Sequence, residues 1–303
     1  MILPPTLKPG DTVGIVSTAR KIEKTELQPF LSLLREWGLQ PLLGETIGAS
    51  ENQFAGSDDL RTRDFQAMLN NPEVKAIWCA RGGYGTVRMI DGVDFSKLLE
   101  QPKWIIGYSD MTVLHSVLHS FGIASLHAQI AGNIEKKTEA TRQSIHDVLF
   151  GKSYKIEVSS EEKLNQTGTA KGELVGGNLS VLYSLHGSPS AISTKGKILF
   201  IEDLDEYLYH IDRMMQNFKR SGVLSELSGL IVGGMTDMND NNIPFGKTAE
   251  EIIWEAVKEY EYPVCFGFPA GHIKDNRALV MGSVVDLSVS TKTVTLSFRR
   301  RYD

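Results

Sequence analysis

The chain has 303 residues, of which 41% are hydrophobic and 23% charged, and its formal net charge is −5. This length suggests two domains, and the negative charge without basic runs argues against nucleic acid as the main partner. The first nine residues lack the basic and apolar regions of a leader, and no segment approaches the ~18 apolar residues of a membrane span. We therefore expect a cytoplasmic protein that does not contact a membrane.

The first half of the chain alternates strand-like and helix-like segments. Strands are predicted at residues 11–17, 39–43, 74–80, 104–107 and 123–127. A helix with an apolar stripe is expected to end at Gly38, and Ser57 is expected to be the N-cap of a second helix. This alternation predicts a parallel sheet covered by helices, with ligands bound beyond the carboxyl ends of its strands.

The second half begins with a polar stretch, residues 151–170, which suits a linker or an exposed hairpin. Further strands are predicted at 197–201, 229–232 and 264–266, helices at 207–222 and 248–260, and antiparallel strands at 278–281, 284–289 and 293–298. We expect an N-terminal α/β domain over residues 1–150 and a C-terminal domain over residues 171–303.

Cysteine and histidine placement bears on redox and metal chemistry. Cys79 and Cys265 lie far apart in apolar, strand-like runs, which favours buried thiols over a disulfide. His115 and His119 are four residues apart but lack the glutamate of a His-Glu-x-x-His motif, so we interpret both as helix-face residues. No glycine fingerprint follows the first strand, which argues against a nicotinamide or flavin enzyme. The sequence predicts no metal and no cofactor.

Ser109 stands where an apolar run breaks at Gly107 and a segment with helical apolar spacing begins. A sharp turn from strand to helix holds a serine exposed, with the first N–H groups of the helix directed at any oxyanion formed there. The same position also suits a simple N-cap serine. The glycine that usually follows such a nucleophile by two positions is replaced by Met111, and both readings stay open.

Two further residues extend this pattern. Glu202 stands where an apolar strand ends, and His272 lies in a loop rich in glycine and proline after another strand. A serine, a carboxylate and a histidine on separate loops supply a nucleophile, an orienting acid and a general base. Taken singly, Glu202 also fits a solvated strand end and His272 an ordinary loop residue.

The loop Arg81–Gly85 follows a strand but matches neither glycine-rich phosphate fingerprint. One interpretation is that it presents a backbone N–H to an oxyanion, with Arg81 available for a substrate carboxylate. The other is a tight turn that requires positive φ.

Five stretches now combine: GYSDMT at 107–112, ARGGYG at 80–85, GGNL at 176–179, LFIE at 199–202 and GFPAGHIKDN at 267–276. Together they resemble the LD-carboxypeptidase family of serine peptidases, which includes murein tetrapeptide carboxypeptidases and microcin C self-immunity proteins. The resemblance covers nearly the whole chain in order. It implies an N-terminal flavodoxin- or Rossmann-like parallel-sheet domain, a C-terminal swivelling-type α/β domain with mixed strands, and an active site in the crevice between them.

The resemblance also implies a metal-free triad of Ser109, Glu202 and His272 that forms an acyl-enzyme. The bond cleaved in the family joins an L-centre to a terminal D-alanine, which points to recycling of cell-wall tetrapeptides, and relatives suggest a homodimer. The candidate oxyanion-hole donors are the backbone N–H groups of Gly83 and Asp110, and the candidate substrate-binding residues are Arg81, Tyr84 and Asn178. A structural salt bridge is an equally good role for Arg81.

Two alternatives remain. A self-immunity hydrolase would cleave a peptidyl or aminoacyl nucleotide such as processed microcin C. Such members hold the nucleobase on an aromatic ring near the start of the C-terminal domain, where this chain has Ser190, although Tyr183 or His186 could substitute. A non-catalytic protein that binds small acidic metabolites also suits two α/β domains, but such a protein has no use for all three triad residues.

Overall fold

The computed structural model describes residues 1–298, which divide into two compact units. Unit 1 comprises residues 1–153 and 274–280, and unit 2 comprises residues 154–273 and 281–298. The last residues of the expected C-terminal domain, 299–303, lie outside the described part of the chain.

The strands are β1 (Thr12–Val16), β2 (Gln40–Leu43), β3 (Val74–Cys79), β4 (Trp104–Gly107), β5 (Ser125–His127), β6 (Lys155–Ser159), β7 (Gly168–Asn178), β8 (Ile198–Leu204), β9 (Gly229–Thr236), β10 (Val264–Cys265), β11 (Leu279–Met281), β12 (Val284–Val289) and β13 (Thr293–Phe298). The α-helices are α1 (Gln28–Glu36), α2 (Asp58–Asn70), α3 (Thr86–Met89), α4 (Ser96–Glu100), α5 (Thr112–Ser120), α6 (Glu139–Leu149), α7 (Leu179–Leu185), α8 (Leu208–Arg220) and α9 (Ala249–Val257).

The sheet of unit 1 has the strand order β11-β5-β4-β3-β1-β2, and β1 to β5 pair in parallel. The predicted parallel, flavodoxin-like sheet is thereby confirmed. After β2 the strand order reverses across β1, so the carboxyl ends of β1 and β3 flank the point at which such sheets bind ligands. The loops that follow β1, β3 and β4 all leave from this edge.

Local sequence signals account for the helices of unit 1. In α1 the side chains of Phe30, Leu31 and Leu34 are buried, and Gly38 follows the helix with φ +77°, a conformation that costs glycine little. The Ser57 side chain accepts a hydrogen bond from the backbone N–H of Leu60 at 3.1 Å. Both predicted helix boundaries are confirmed.

Unit 2 is built on a seven-stranded sheet of order β10-β9-β8-β7-β12-β13-β6. Strands β7 to β10 pair in parallel, whereas β7/β12, β12/β13 and β13/β6 pair antiparallel, which confirms the predicted mixed strands. The polar stretch 151–170 contains β6 and the start of β7. It is held in the sheet because Ile156, fully buried, pairs with Leu296 of β13.

One predicted pairing is wrong. The segment 278–281, expected as an antiparallel partner of the final strands, forms β11 beside β5 in the sheet of unit 1. Hydrogen bonds to α6 and its N-cap explain this placement. Thr138 donates to the Asp275 carboxylate at 2.9 Å, and the N–H of Ala278 donates to the Ser144 hydroxyl at 2.9 Å.

The two cysteines are free and buried, as predicted: Cys79 ends β3 in unit 1, and Cys265 ends β10 in unit 2. Burial raises the pKa of each thiol to about 12. Within residues 1–298 no helix is both long and apolar enough to cross a bilayer. Over the same range no three His, Cys, Asp or Glu side chains form a group that could hold a metal ion.

Candidate active site

Ser109 lies in a sharp turn between β4 and α5. Its φ is +67°, in the left-handed region that residues with a side chain rarely adopt, and it is partly exposed. A short 3-10 turn, Ser109–Met111, then leads directly into α5. A serine held in this strained conformation between a parallel strand and a helix has the geometry of a nucleophile elbow.

Two glycines make the turn sterically possible. A Cβ at Gly107 would lie 2.6 Å from Cγ of Met111, so Met111 occupies the space that a side chain there would need. A Cβ at Gly82 would lie 3.2 Å from Cβ and 3.3 Å from Oγ of Ser109. Met111 therefore stands where such turns usually have a glycine, two positions after Ser109. Its buried side chain packs against Gly107, two positions before Ser109.

A buried histidine fixes the end of β4. His115 Nε2 lies 3.0 Å from the Gly107 carbonyl oxygen, and Nδ1 lies 2.7 Å from the Ser125 hydroxyl. Because a carbonyl only accepts, Nε2 carries the proton and Nδ1 accepts from the serine. Burial lowers the pKa of His115 to about 4, so the ring is neutral. This residue therefore supports the turn that carries Ser109.

The loop Arg81–Gly85 is tied to the serine turn by Asp110. The Asp110 carboxylate, almost fully buried, accepts a hydrogen bond from the backbone N–H of Thr86 at 2.8 Å, and burial raises its pKa. Gly83 and Gly85 have φ of +110° and +147°, so the loop requires glycine at both positions. The loop is therefore a tight turn with positive φ, as one interpretation predicted, and at Gly82 it lies against Ser109.

A buried arginine joins the same loop to the end of β1. Arg61 Nη1 donates to the carbonyl oxygens of Thr18 at 2.6 Å and Gly85 at 2.9 Å, and its Nη2 pairs with Asp58. The guanidinium also lies 4.9 Å from the centre of the Phe54 ring. Neither Arg61 nor His115 was predicted to support the site. The spacing of residues along a helix shows which of them share a face, but it does not show which loop that face contacts.

The candidate oxyanion donors are the backbone N–H groups of Gly83, in the glycine loop, and of Asp110, directly after Ser109. Within unit 1, no group accepts a hydrogen bond from the backbone N–H of Gly83 or of Asp110. Unsatisfied N–H groups beside a serine hydroxyl are what an oxyanion hole offers.

In unit 2, Glu202 and His272 form a buried acid–histidine pair. The Nδ1 atom of His272 lies 2.6 Å from Oε2 of Glu202, and the backbone N–H of His272 donates to the same oxygen at 3.1 Å. Glu202 has no solvent exposure. A carboxylate that only accepts fixes the ring with its proton on Nδ1 and assigns Nε2 the chemistry of a base.

Glycines on two segments bring this histidine to the acid. Between β8 and β9 the register shifts between Ile201 and Asp203, so that Gly233 and Gly234 lie opposite Glu202 within β8. A Cβ at Gly233 would lie 2.4 Å from the carbonyl oxygen of Ala270, and one at Gly271, where φ is +104°, would lie 2.6 Å from Oε2 of Glu202. The histidine loop can approach only because these positions lack side chains.

Asp203 lies next to the acid and was not predicted. Its carboxylate accepts hydrogen bonds from Asn178 Nδ2 at 2.8 Å and from the backbone N–H of Ser180 at 2.8 Å. Burial, and then the neighbouring Glu202 charge, raise the pKa of Asp203 to about 7, although these hydrogen bonds act in the opposite direction. The signal in the sequence that could have identified Asp203 is the pair of consecutive acids, Glu202 and Asp203, directly after the apolar run 198–201.

The three candidate substrate-binding residues have different surroundings. Asn178 is buried, serves as N-cap of α7 by accepting from the N–H of Val181 at 3.1 Å, and donates to Asp203. Arg81 forms a salt bridge with Glu26 at 3.0 Å. Tyr84 is 47% exposed. Of the three, Tyr84 is the most exposed.

The fold and these two sets of residues define a serine-type hydrolase, with a nucleophile elbow in unit 1 and an acid–histidine pair in unit 2. Family models for the LD-carboxypeptidase N-terminal and C-terminal domains match residues 13–128 and 171–287. The chain belongs to the LD-carboxypeptidase family and is a serine peptidase, which excludes the non-catalytic binding protein.

Three similar proteins span almost the full chain. A Bacillus subtilis protein named "Probable murein peptide carboxypeptidase" is 35% identical over 97% of this chain and 93% of its own. The crystal structure of muramoyltetrapeptide carboxypeptidase from Oxalobacter formigenes has a TM-score of 0.86 at 26% identity, covering 95% and 99% of the two chains. A microcin self-immunity protein of Escherichia coli is 23% identical over 98% of this chain and 96% of its own.

Proposed function

We propose that this peptidase removes the terminal D-alanine from murein tetrapeptides, using Ser109, Glu202 and His272. The observation that carries the proposal is the Glu202–His272 pair, in which one fully buried carboxylate oxygen holds the imidazole at 2.6 Å. A buried acid in this arrangement orients the ring and stabilises the imidazolium formed when the base takes a proton.

In the proposed reaction, His272 Nε2 takes the hydroxyl proton as Oγ of Ser109 attacks the carbonyl carbon before the terminal residue. The backbone N–H groups of Gly83 and Asp110 donate to the oxyanion. Collapse of the tetrahedral intermediate breaks the C–N bond, and the imidazolium gives its proton to the departing amine of D-alanine. A water molecule, deprotonated by the same histidine, then hydrolyses the acyl-enzyme.

The substrate class rests on the names of the relatives and on the chain's resemblance to its family. Two of the similar proteins are named for murein or muramoyl peptides, and both match across nearly the whole chain. The exposed ring of Tyr84, two residues beyond Gly82, is our candidate contact for the peptide. With this substrate the enzyme would act in cell-wall recycling in the cytoplasm, and we propose that it does so as a homodimer.

The alternative substrate is a peptidyl or aminoacyl nucleotide. A nucleobase needs an open aromatic face, and the described residues near Ser190 provide little room for one. Tyr183 packs edge-on against His210 with ring centres 6.1 Å apart, and the cavity beside His186 and Phe218 has a volume of only about 20 Å³. These contacts argue against a nucleobase site at this place.

Mass spectrometry of the tetrapeptide L-Ala-γ-D-Glu-diaminopimelate-D-Ala tests the proposal. We expect the wild type to release one alanine and Ser109→Ala to release none. Ser116→Ala is the matched control, because that serine lies on the adjacent helix α5 and its buried hydroxyl has no hydrogen-bond partner among the described residues. Cleavage of an aminoacyl nucleotide but not of the tetrapeptide would select the alternative.

A further inference from the structure

Arg20 lies beside the glycine loop that contacts Ser109. A Cβ at Gly83 would stand 2.5 Å from Cδ and 2.7 Å from Nε of Arg20, just as one at Gly82 would stand 3.3 Å from Oγ of Ser109. Two adjacent glycines therefore separate the guanidinium from the nucleophile. A side chain at Gly82 would displace Ser109, and a side chain at Gly83 would displace Arg20.

The backbone of Arg20 is anchored in this position. Its N–H donates to the carbonyl oxygen of Gly82 at 3.4 Å, and its carbonyl oxygen accepts from the Ser17 hydroxyl at 2.5 Å. Arg20 follows β1 and Gly82 follows β3, which are the two strands at the ligand-binding edge of the sheet. The position of the arginine is thus tied to the loop that contacts Ser109.

Arg20 lines a cavity of about 390 Å³ in unit 1. The other two cations that line it have partners: Lys21 Nζ donates to the Ser50 hydroxyl at 3.1 Å, and Arg81 pairs with Glu26. The exposed guanidinium of Arg20 has no ion pair or hydrogen bond within unit 1. Its guanidinium donors are therefore available to an anionic ligand.

The spacing suits one particular anion. The C-terminal carboxylate of a carboxypeptidase substrate lies one residue beyond the scissile carbonyl, roughly 3.5 Å further along an extended chain. Gly83, our candidate donor to that carbonyl oxygen, has its Cα within about 4 Å of Arg20 Nε, since one C–C bond joins Cα to the Cβ position. A guanidinium pairs with a carboxylate through two parallel hydrogen bonds.

We propose that Arg20 binds the free C-terminal carboxylate of the substrate and so restricts the enzyme to the last peptide bond. This inference rests on the proposed function and assigns to Arg20 the role that the sequence suggested for Arg81. In place of Arg81, which forms a salt bridge with Glu26, it selects a cation that forms no ion pair within unit 1.

Calorimetric binding to Ser109→Ala tests this without turnover, using the tetrapeptide acid and the same peptide with a C-terminal amide. We expect the acid to bind about ten- to a hundredfold more tightly, as a charged hydrogen-bonded pair implies. Adding Arg20→Gln should abolish that preference by weakening the acid alone. Adding Arg63→Gln, which removes the same charge from the exposed face of α2, should preserve it.

Equal binding of acid and amide, a preference retained in Arg20→Gln, or no binding of either peptide would overturn the inference. Turnover gives a separate readout: Arg20→Gln should raise KM for the acid, Arg20→Lys should recover part of the loss, and Arg63→Gln should leave KM unchanged. A wild type that binds the acid selectively but cleaves neither peptide would refute the proposed function while supporting the role of Arg20.

Discussion

His272 donates two hydrogen bonds to the same oxygen of Glu202, one from its ring Nδ1 and one from its backbone N–H. The second bond fixes the backbone of the loop, and the first fixes the ring on that backbone. The acid therefore holds both the backbone and the ring of the histidine.

Glu202→Gln should lower kcat by about 10²- to 10⁴-fold, because an amide cannot stabilise the imidazolium as a carboxylate does. Steady-state kinetics with the tetrapeptide measures the effect. Glu206→Gln is the matched control, since Glu206 contacts Nδ1 of His210 at 2.5 Å in the same unit but is partly exposed. Equal loss of activity in both variants would contradict the assigned role of Glu202.

Gly82→Ala should lower kcat by roughly 10- to 100-fold while the protein stays folded. Its methyl group would stand 3.2 Å from Cβ of Ser109, and a small displacement of a nucleophile is costly. Gly92→Ala introduces similar crowding, 3.1 Å from Cγ2 of Thr62, away from the serine. Kinetics and thermal melts of both variants decide the matter, and unchanged kcat in Gly82→Ala would show that the contact is not critical.

Arg61→Met should destabilise unit 1 by about 3 kcal/mol, because the carbonyl oxygens of Thr18 and Gly85 would lose a buried charged donor. Urea unfolding measures the loss, and kcat should fall as the glycine loop loosens. Arg88→Met is the control: Arg88 binds the same Asp58 from the surface, so its removal should have a small effect on stability. Comparable destabilisation by both would argue against the buried bonds.

His115 should make the protein less stable in acid. Its folded pKa, about 4, lies below the unfolded value of 6.5, so its contribution is complete above pH 6.5 and is lost as the pH falls towards 4. The full loss is roughly 3 kcal/mol. Urea unfolding at several pH values measures the free energy of unfolding of the wild type and of His115→Gln. The difference between the two isolates the contribution of His115. A difference that stays constant from pH 7 to pH 4 would contradict a buried neutral imidazole.

Much of unit 1 was predictable because its strands are short apolar runs bounded by glycine. The break at Gly107 located the serine turn, and the spacing from Met111 onward predicted α5. The positive φ of Ser109 was not readable, because it depends on Gly82, 27 positions earlier in the chain and brought close only by the parallel sheet.

The acid–histidine contact depends on long-range structure in the same way. Glu202 and His272 are 70 residues apart, and the sequence placed each at a strand end without showing that they meet. Arg20 was not predicted for a different reason. It belongs to no motif, and its proposed role depends on the contact of its side chain with Gly83, which only the structure shows.

Each unit carries one buried thiol, Cys79 in β3 and Cys265 in β10. A thiol reagent cannot reach either cysteine until the strand that holds it opens, so labelling reports on opening events within a single unit. Peptide mapping of the labelled protein therefore gives the labelling rate of each cysteine separately, without any substitution. If the tetrapeptide acid slows the labelling of Cys265 but not of Cys79, the substrate stabilises the unit that holds the base. The reverse pattern would show that it stabilises the unit that holds the nucleophile.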